Sequence, residues 1–140
     1  MGVVVDSSIF IATQRRRFDW AAWIDSLGAA ELLVSSITLS ELLHGAHRAA
    51  SDEQRDKRLR FAARLERDYC IVPFAVREAH THARLHAAMQ ARGEMIGSHD
   101  LLIAATACTH GHAVATLNLS DFQRVPDLTV LDAVPFLSRE

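Results

Sequence analysis

Asp6, Glu41 and Asp100 share an unusual setting, because each lies against an element far more apolar than itself. Asp6 closes the run "GVVVD", Glu41 stands in "TLSELL" just after "AELLVSS", and Asp100 opens "HDLLIAATAC", apolar from Leu101 to Cys108 except for Thr106. Taking a carboxylate out of water is expensive unless its charge is compensated. Each acid alone has a structural explanation. Asp is a preferred helix N-cap, which suits Asp6. "TLSE" fits the capping box, with Thr38 as N-cap and Glu41 three residues on. Asp100, in the first turn after Ser98, complements the positive end of a helix dipole. Together they point elsewhere, since converging acids repel one another and need a cation or a shared proton.

A hard divalent cation is the natural compensation. Mg²⁺ takes oxygen ligands, keeps several waters and is held by one or two carboxylates plus the phosphate oxygens of a substrate. Such an ion activates water and stabilises the leaving oxygen of a phosphodiester. Zinc, which favours His and Cys, suits this set poorly. Further along, "TLNLSDF" adds Asn118 and Asp121 to the acidic inventory. The chemistry to expect is phosphoryl hydrolysis.

The elements that must bring these residues together can be read from the apolar pattern. Short runs at 2–6, 30–36, 70–74, 112–117 and 128–132 read as strands. Between them lie helical patterns: one from Ser7, one over 19–28 ending at Gly28, one over 38–49, and one over 51–69 with Phe61, Leu65 and Tyr69 on one face. Another spans 75–93, with Val76, Ala79, Ala83 and Ala87 on one side and Gly93 at its end, and the last is the buried helix that Asp100 opens. Strands alternating with helices imply βαβ units and a parallel sheet covered on both faces. In such sheets ligands bind at the carboxyl edge. That is where Asp6, Glu41 and Asn118 fall.

Composition narrows the alternatives. The chain has 140 residues, 49% of them hydrophobic, which suits one domain over 1–140. A net charge of −2 means that any polyanion must be held by a local patch. Fourteen of the fifteen basic residues are arginines. The single lysine, Lys57, lies in "SDEQRDKRLR", away from any Gly-rich loop, which argues against P-loop, receiver and dehalogenase-type chemistry. "MGVVVDSS" lacks the basic and long apolar regions of a signal peptide, and Cys70 and Cys108 sit in apolar sequence. A cytoplasmic, disulfide-free protein with no membrane span is expected. "RRR" at Arg15, Arg16 and Arg17 could contact RNA phosphates or simply be solvated. Phe18, Trp20 and Trp23 suit a core or dimer contact better than base stacking. His82 and His86 share a helical face from which His80 points away, so one ion cannot readily take all three. His99, beside Asp100, is a candidate for substrate contact.

"VVVDSSIF", "SSITLSELLHG" and "GSHDLLIAATACTHGHAVATLNLSDFQRVPDLTVLD" together resemble the PIN-domain proteins, specifically VapC-type toxin ribonucleases of bacterial VapBC toxin–antitoxin systems. The resemblance runs in order along nearly the whole chain, leaving mainly residues 51–92 without a diagnostic motif. It implies an α/β PIN-like domain with a central parallel sheet of order 3-2-1-4-5. It further implies Mg²⁺ or Mn²⁺ dependence, endonucleolytic cleavage of RNA, often tRNA or rRNA, homodimerisation and inhibition by a VapB-type antitoxin. Asp6, Glu41 and Asp100 match the family's three acidic positions, and with them the metal ligands. The fourth position carries Asn118, with Asp121 the likelier anion. Ser8 and Thr116 match small hydroxyl positions beside the acids, placed to bond a carboxylate or a phosphate. A PIN fold that binds RNA or protein without cutting is the alternative.

Overall fold

The computed structural model describes residues 1–138; Arg139 and Glu140, at the end of the expected domain, lie outside the described residues. Its elements in chain order are β1 (Val3–Val5), α1 (Ser7–Gln14), α2 (Trp20–Leu27), β2 (Leu32–Ser35), α3 (Ser36–His47), α4 (Asp52–Asp68) and β3 (Cys70–Val72). They continue with α5 (Val76–Arg92), α6 (Ser98–Thr109), β4 (Ala113–Thr116), α7 (Leu119–Phe122) and β5 (Val130–Asp132). The strands form one five-stranded sheet in the order β3-β2-β1-β4-β5, and every pairing is parallel. β1 is central, so successive strands are laid down first to one side of it and then to the other. The chain reverses its direction of winding between β1 and β4, which is the place where such sheets open a ligand crevice.

Side-chain alternation along β1 divides the core into two layers. Val4 faces Leu85 and Met89 of α5 and Leu101 and Ile103 of α6. Val3 and Val5 face Ile9 and Phe10 of α1, Trp23 of α2, Leu42 of α3 and Leu65 of α4. β1 and β4 are buried on both faces, which explains why they read as continuous apolar runs rather than alternating ones. α6 is buried nearly all round, through Leu101, Ile103, Ala104, Ala105 and Ala107. Its one polar interior residue, Thr106, donates its hydroxyl to the Leu102 carbonyl at 2.9 Å and so carries no unpaired group into the core. Gly28 and Gly93 end α2 and α5 with φ of 61° and 66°, a region that side chains enter only with strain.

Three expectations are corrected. α3 begins at Ser36, not after Thr38, because β2 runs directly into it and Ser35 is the N-cap, its hydroxyl accepting from the Thr38 amide at 3.0 Å. Glu41 therefore lies in the second turn, beyond capping reach, and the capping-box reading fails. On α5 the buried residues are Glu78, Leu85 and Met89, while Val76, Ala79, Ala83 and Ala87 are exposed. Alanines bury little area, so Leu85 and Met89 decide which side faces the core, and Glu78 joins them by accepting from the Ala75 amide at 2.9 Å. Cys70 is exposed rather than apolar in its surroundings, and Cys108 is half-buried; neither is in a disulfide. Among the described residues no helix is long and apolar enough to cross a membrane.

Candidate active site

Asp6 sits at the end of β1 as the N-cap residue of α1, yet its side chain makes no cap bond. Its Oδ2 instead accepts two hydroxyl hydrogen bonds, from Ser8 at 2.7 Å and from Thr116, at the end of β4, at 2.9 Å. Each hydroxyl is locked from its other side. The Leu117 amide donates to Ser8 Oγ at 3.1 Å and the Asn118 amide to Thr116 Oγ1 at 2.8 Å. The capping role is thus displaced by a clamp that fixes one carboxylate oxygen and leaves the other free. Ser8 and Thr116, expected beside the acids, are both spent on Asp6.

Glu41 approaches from α3 and Asp100 from the first turn of α6. Glu41 Oε2 lies 3.4 Å from the Ser7 hydroxyl and 3.7 Å from His99 Nδ1. Asn118, N-cap of α7, donates from Nδ2 to Asp121 Oδ2 at 2.9 Å and reaches Asp100 Oδ2 at 3.4 Å. Both neighbours are acceptors, so the amide must present its NH₂ to them and acts as a neutral spacer between two anions. The sequence leaves Asn118 and Asp121 as alternatives for completing the acidic set, and the fold places both in it, bonded to one another. Ser7 was missed as a partner of Glu41, having no signal beyond its place beside Asp6.

The cluster is electrostatically unfinished. None of the Arg or Lys ion pairs among the described residues involves it. Burial pushes the Asp100 carboxyl up to about 6, reinforced by the charges of Asp6, Glu41 and Asp121 and opposed by the Asn118 hydrogen bond. Burial also raises Glu41, with Asp6 adding to the effect and His99 and Ser7 opposing it. Two buried oxygens, Asp6 Oδ1 and Glu41 Oε1, have no hydrogen-bond partner. Buried polar atoms are rarely left so. An all-oxygen set with unpaired buried lone pairs fits a hard divalent cation. Among the described residues no three His, Cys, Asp or Glu groups close on one point, so an ion there would complete its shell with water or substrate. On α5, His82 packs its ring against Phe74 and His86, at centroid separations of 5.9 and 5.6 Å.

The arginine run divides. Arg15 and Arg16 line a groove that Glu41 also borders. Arg17 lies outside that lining, its backbone held by the Ala12 carbonyl and the Ser138 amide. Phe18 and Trp23 are buried, as a core reading requires, and Trp20 is half-buried.

This arrangement, acids gathered at the carboxyl edge of a 3-2-1-4-5 parallel sheet, is that of a PIN domain, and the chain belongs to that family, whose profile matches residues 3–128. It is similar to ribonuclease VapC1 of Rickettsia felis, 40% identical over 131 residues that cover 94% of this chain and 96% of that protein. The tRNA(fMet)-specific endonuclease VapC of Salmonella typhimurium is 30% identical over 108 residues, covering 76% and 79%. Among solved structures, the crystal structure of VapBC2 from Rickettsia felis bound to a DNA fragment from their promoter superposes with a TM-score of 0.82 at 25% identity, covering 94% and 98%. Within the PIN family the chain is a VapC-type toxin ribonuclease.

Proposed function

We propose that the chain is a Mg²⁺-dependent endoribonuclease, with Mn²⁺ able to replace Mg²⁺, acting in the cytoplasm on tRNA or rRNA as the toxin of a type II toxin–antitoxin pair. The observation that carries the metal reading is the pair of unpartnered buried oxygens, Asp6 Oδ1 and Glu41 Oε1, in a cluster without a neutralising Arg or Lys. Asp6, Glu41 and Asp100 would hold the ion, in part through water, since the three do not close on one point. When bound, it supplies Lewis-acid stabilisation of phosphodiester charge and lowers the pKa of an attacking water.

The chain's own residues do the rest. Ser8 and Thr116 fix Asp6 so that only Oδ1 is presented. Asn118 holds Asp121 and Asp100 apart, and α6, anchored in the core, keeps Asp100 from retreating. Arg15, Arg16 and Arg17 are available for phosphates. With water as nucleophile, the products carry 5′-phosphates. The solved VapBC complexes among its structural relatives support a VapB-type antitoxin as partner; the toxin itself is proposed as a homodimer of a single domain over 1–140.

The test is to incubate purified protein with total cellular RNA in Mg²⁺ or EDTA, beside Asp100→Asn, and to sequence the new 5′ ends. Discrete 5′-phosphate ends that require both Mg²⁺ and Asp100 are expected; cleavage at wild-type rate by Asp100→Asn overturns the assignment. One observation favours a non-cleaving RNA- or protein-binding module, namely the amide of Asn118 where a fourth acid is common. RNA affinity without Mg²⁺-dependent products would establish that reading.

A further inference from the structure

Glu41 has a second neighbourhood. It lines a groove of ≈ 530 Å³ between α1, α3 and α4. The basic residues along that groove are Arg15 and Arg16, just past α1, and Lys57, Arg58 and Arg64 of α4. Glu41 is the one acid among the described residues that line it. In a chain with a net charge of −2, this is a local concentration of positive potential that shares Glu41 with the acidic cluster.

Most of this charge is uncommitted. Arg58 donates to the Gly45 carbonyl at 3.0 Å, but Arg15, Arg16, Lys57 and Arg64 are in none of the ion pairs among the described residues. Arg64 lies over the Phe61 ring at 5.7 Å, which orients its guanidinium. Gly45 adds an independent sign. It lies inside α3, lines the groove, and a Cβ built on it would meet nothing within 4 Å. Packing therefore gives no reason for a glycine, which costs a helix about 1 kcal/mol relative to alanine. What it does leave is room on the groove wall where a side chain would stand, beside a carbonyl already held by Arg58. The groove adjoins a smaller cavity of ≈ 190 Å³, shared through Thr13, Phe61 and Arg64 and walled by the half-buried rings of Trp20, Phe61 and Tyr69. Basic tracks beside accessible aromatic rings suit a single-stranded nucleic acid, whose phosphates pair with the former and whose unpaired bases stack on the latter.

We propose that the α1/α3/α4 groove carries a single-stranded segment of the RNA substrate away from the acidic site, with Arg15, Arg16, Lys57 and Arg64 on its phosphates and Gly45 as its floor. The inference rests on the ribonuclease reading above and extends it to the face on which the substrate lies. It brings in α4, a helix without a motif.

Binding is measured on the non-cleaving Asp100→Asn protein with a fluorescein-labelled oligouridylate over a salt series. Replacing Lys57 and Arg64 together by Gln should weaken binding about tenfold and lower the slope of log K against log salt by about 1.4, since each single-strand phosphate contact contributes about 0.7. Arg60→Gln and Arg77→Gln, exposed and outside the groove, should bind as the parent does. Gly45→Leu should weaken binding while Tm holds or rises, a combination that misfolding cannot produce. An unchanged slope in the Lys57/Arg64 variant, or an equal loss in the controls, overturns the proposal. So does intact RNA binding with lost capture of the antitoxin, which would give the groove to an acidic peptide. Wild-type cleavage of RNA in Mg²⁺ is followed in parallel. If it occurs while the groove variants bind and cut normally, the groove assignment alone fails; if it is absent while they lose affinity, the groove stands and the cleavage reading fails.

Discussion

Replacing Asp100 by Asn should strengthen the metal-free fold while removing activity. Asp100 sits with its carboxyl pushed from 3.8 to about 6 by burial and by Asp6, Glu41 and Asp121. A raised pKa means that the folded state holds its proton more tightly than the unfolded chain does. Stability from this group is full below about pH 4 and is lost as pH rises through about 6. A shift of roughly two units corresponds to about 3 kcal/mol. The side chain is only half removed from water, and solvent screening reduces this to about 1–2 kcal/mol. In a domain of this size that is roughly 3–8 °C in Tm. Thermal unfolding in EDTA should therefore place Asp100→Asn above wild type by that margin at pH 8, with the gap closing toward pH 4. Adding Mg²⁺ should raise the wild type more than the variant, because ligand binding stabilises the state that binds it. A variant no more stable than wild type at pH 8, or a gap that does not depend on pH, would refute the reasoning.

Thr116→Val should remove a buried donor to Asp6 Oδ2 and orphan the Asn118 amide, lowering stability in urea by about 1–3 kcal/mol and impairing cleavage, with Thr116→Ser restoring both. Gly93→Ala places a side chain at φ 66° and should cost about 1 kcal/mol, read in the urea midpoint. His112 accepts from the Gly2 amide through Nδ1 at 2.9 Å and needs that nitrogen unprotonated. Its pKa is lowered by burial, then by His110 and the N-terminal ammonium, so its contribution is present above about 6.5 and lost as pH falls below that. The protection factor of the Gly2 amide should fall as pH drops through that range in wild type and be low throughout in His112→Ala.

The order of elements and the acidic positions were legible because both rest on local chemistry. β1 and β4 each carry three consecutive apolar residues whose ends must meet the crevice, and α6 cannot be anything but buried. What could not be read is which of several nearby residues takes each role once the elements are placed. Glu41 looked like a cap because Thr38 precedes it by three residues, whereas Ser35, at the end of a strand, already fills that place. The face of α5 was misjudged because four small residues at helical spacing outnumbered Leu85 and Met89 without outweighing them in area. Asn118 and Asp121 seemed to compete for one position until a short helix, α7, let the first hold the second.

The two hydroxyl bonds on Asp6 also fix when, during synthesis, this carboxylate becomes oriented. Thr116 is 110 residues from Asp6, and the Leu117 amide that holds Ser8 is 109 residues from it. Synthesis proceeds from the N-terminus, so Asp6 is made early but stays unoriented until β4 has emerged and docked beside β1. With Asp6 in the role proposed above, the acidic site stays unassembled for most of the chain's own synthesis.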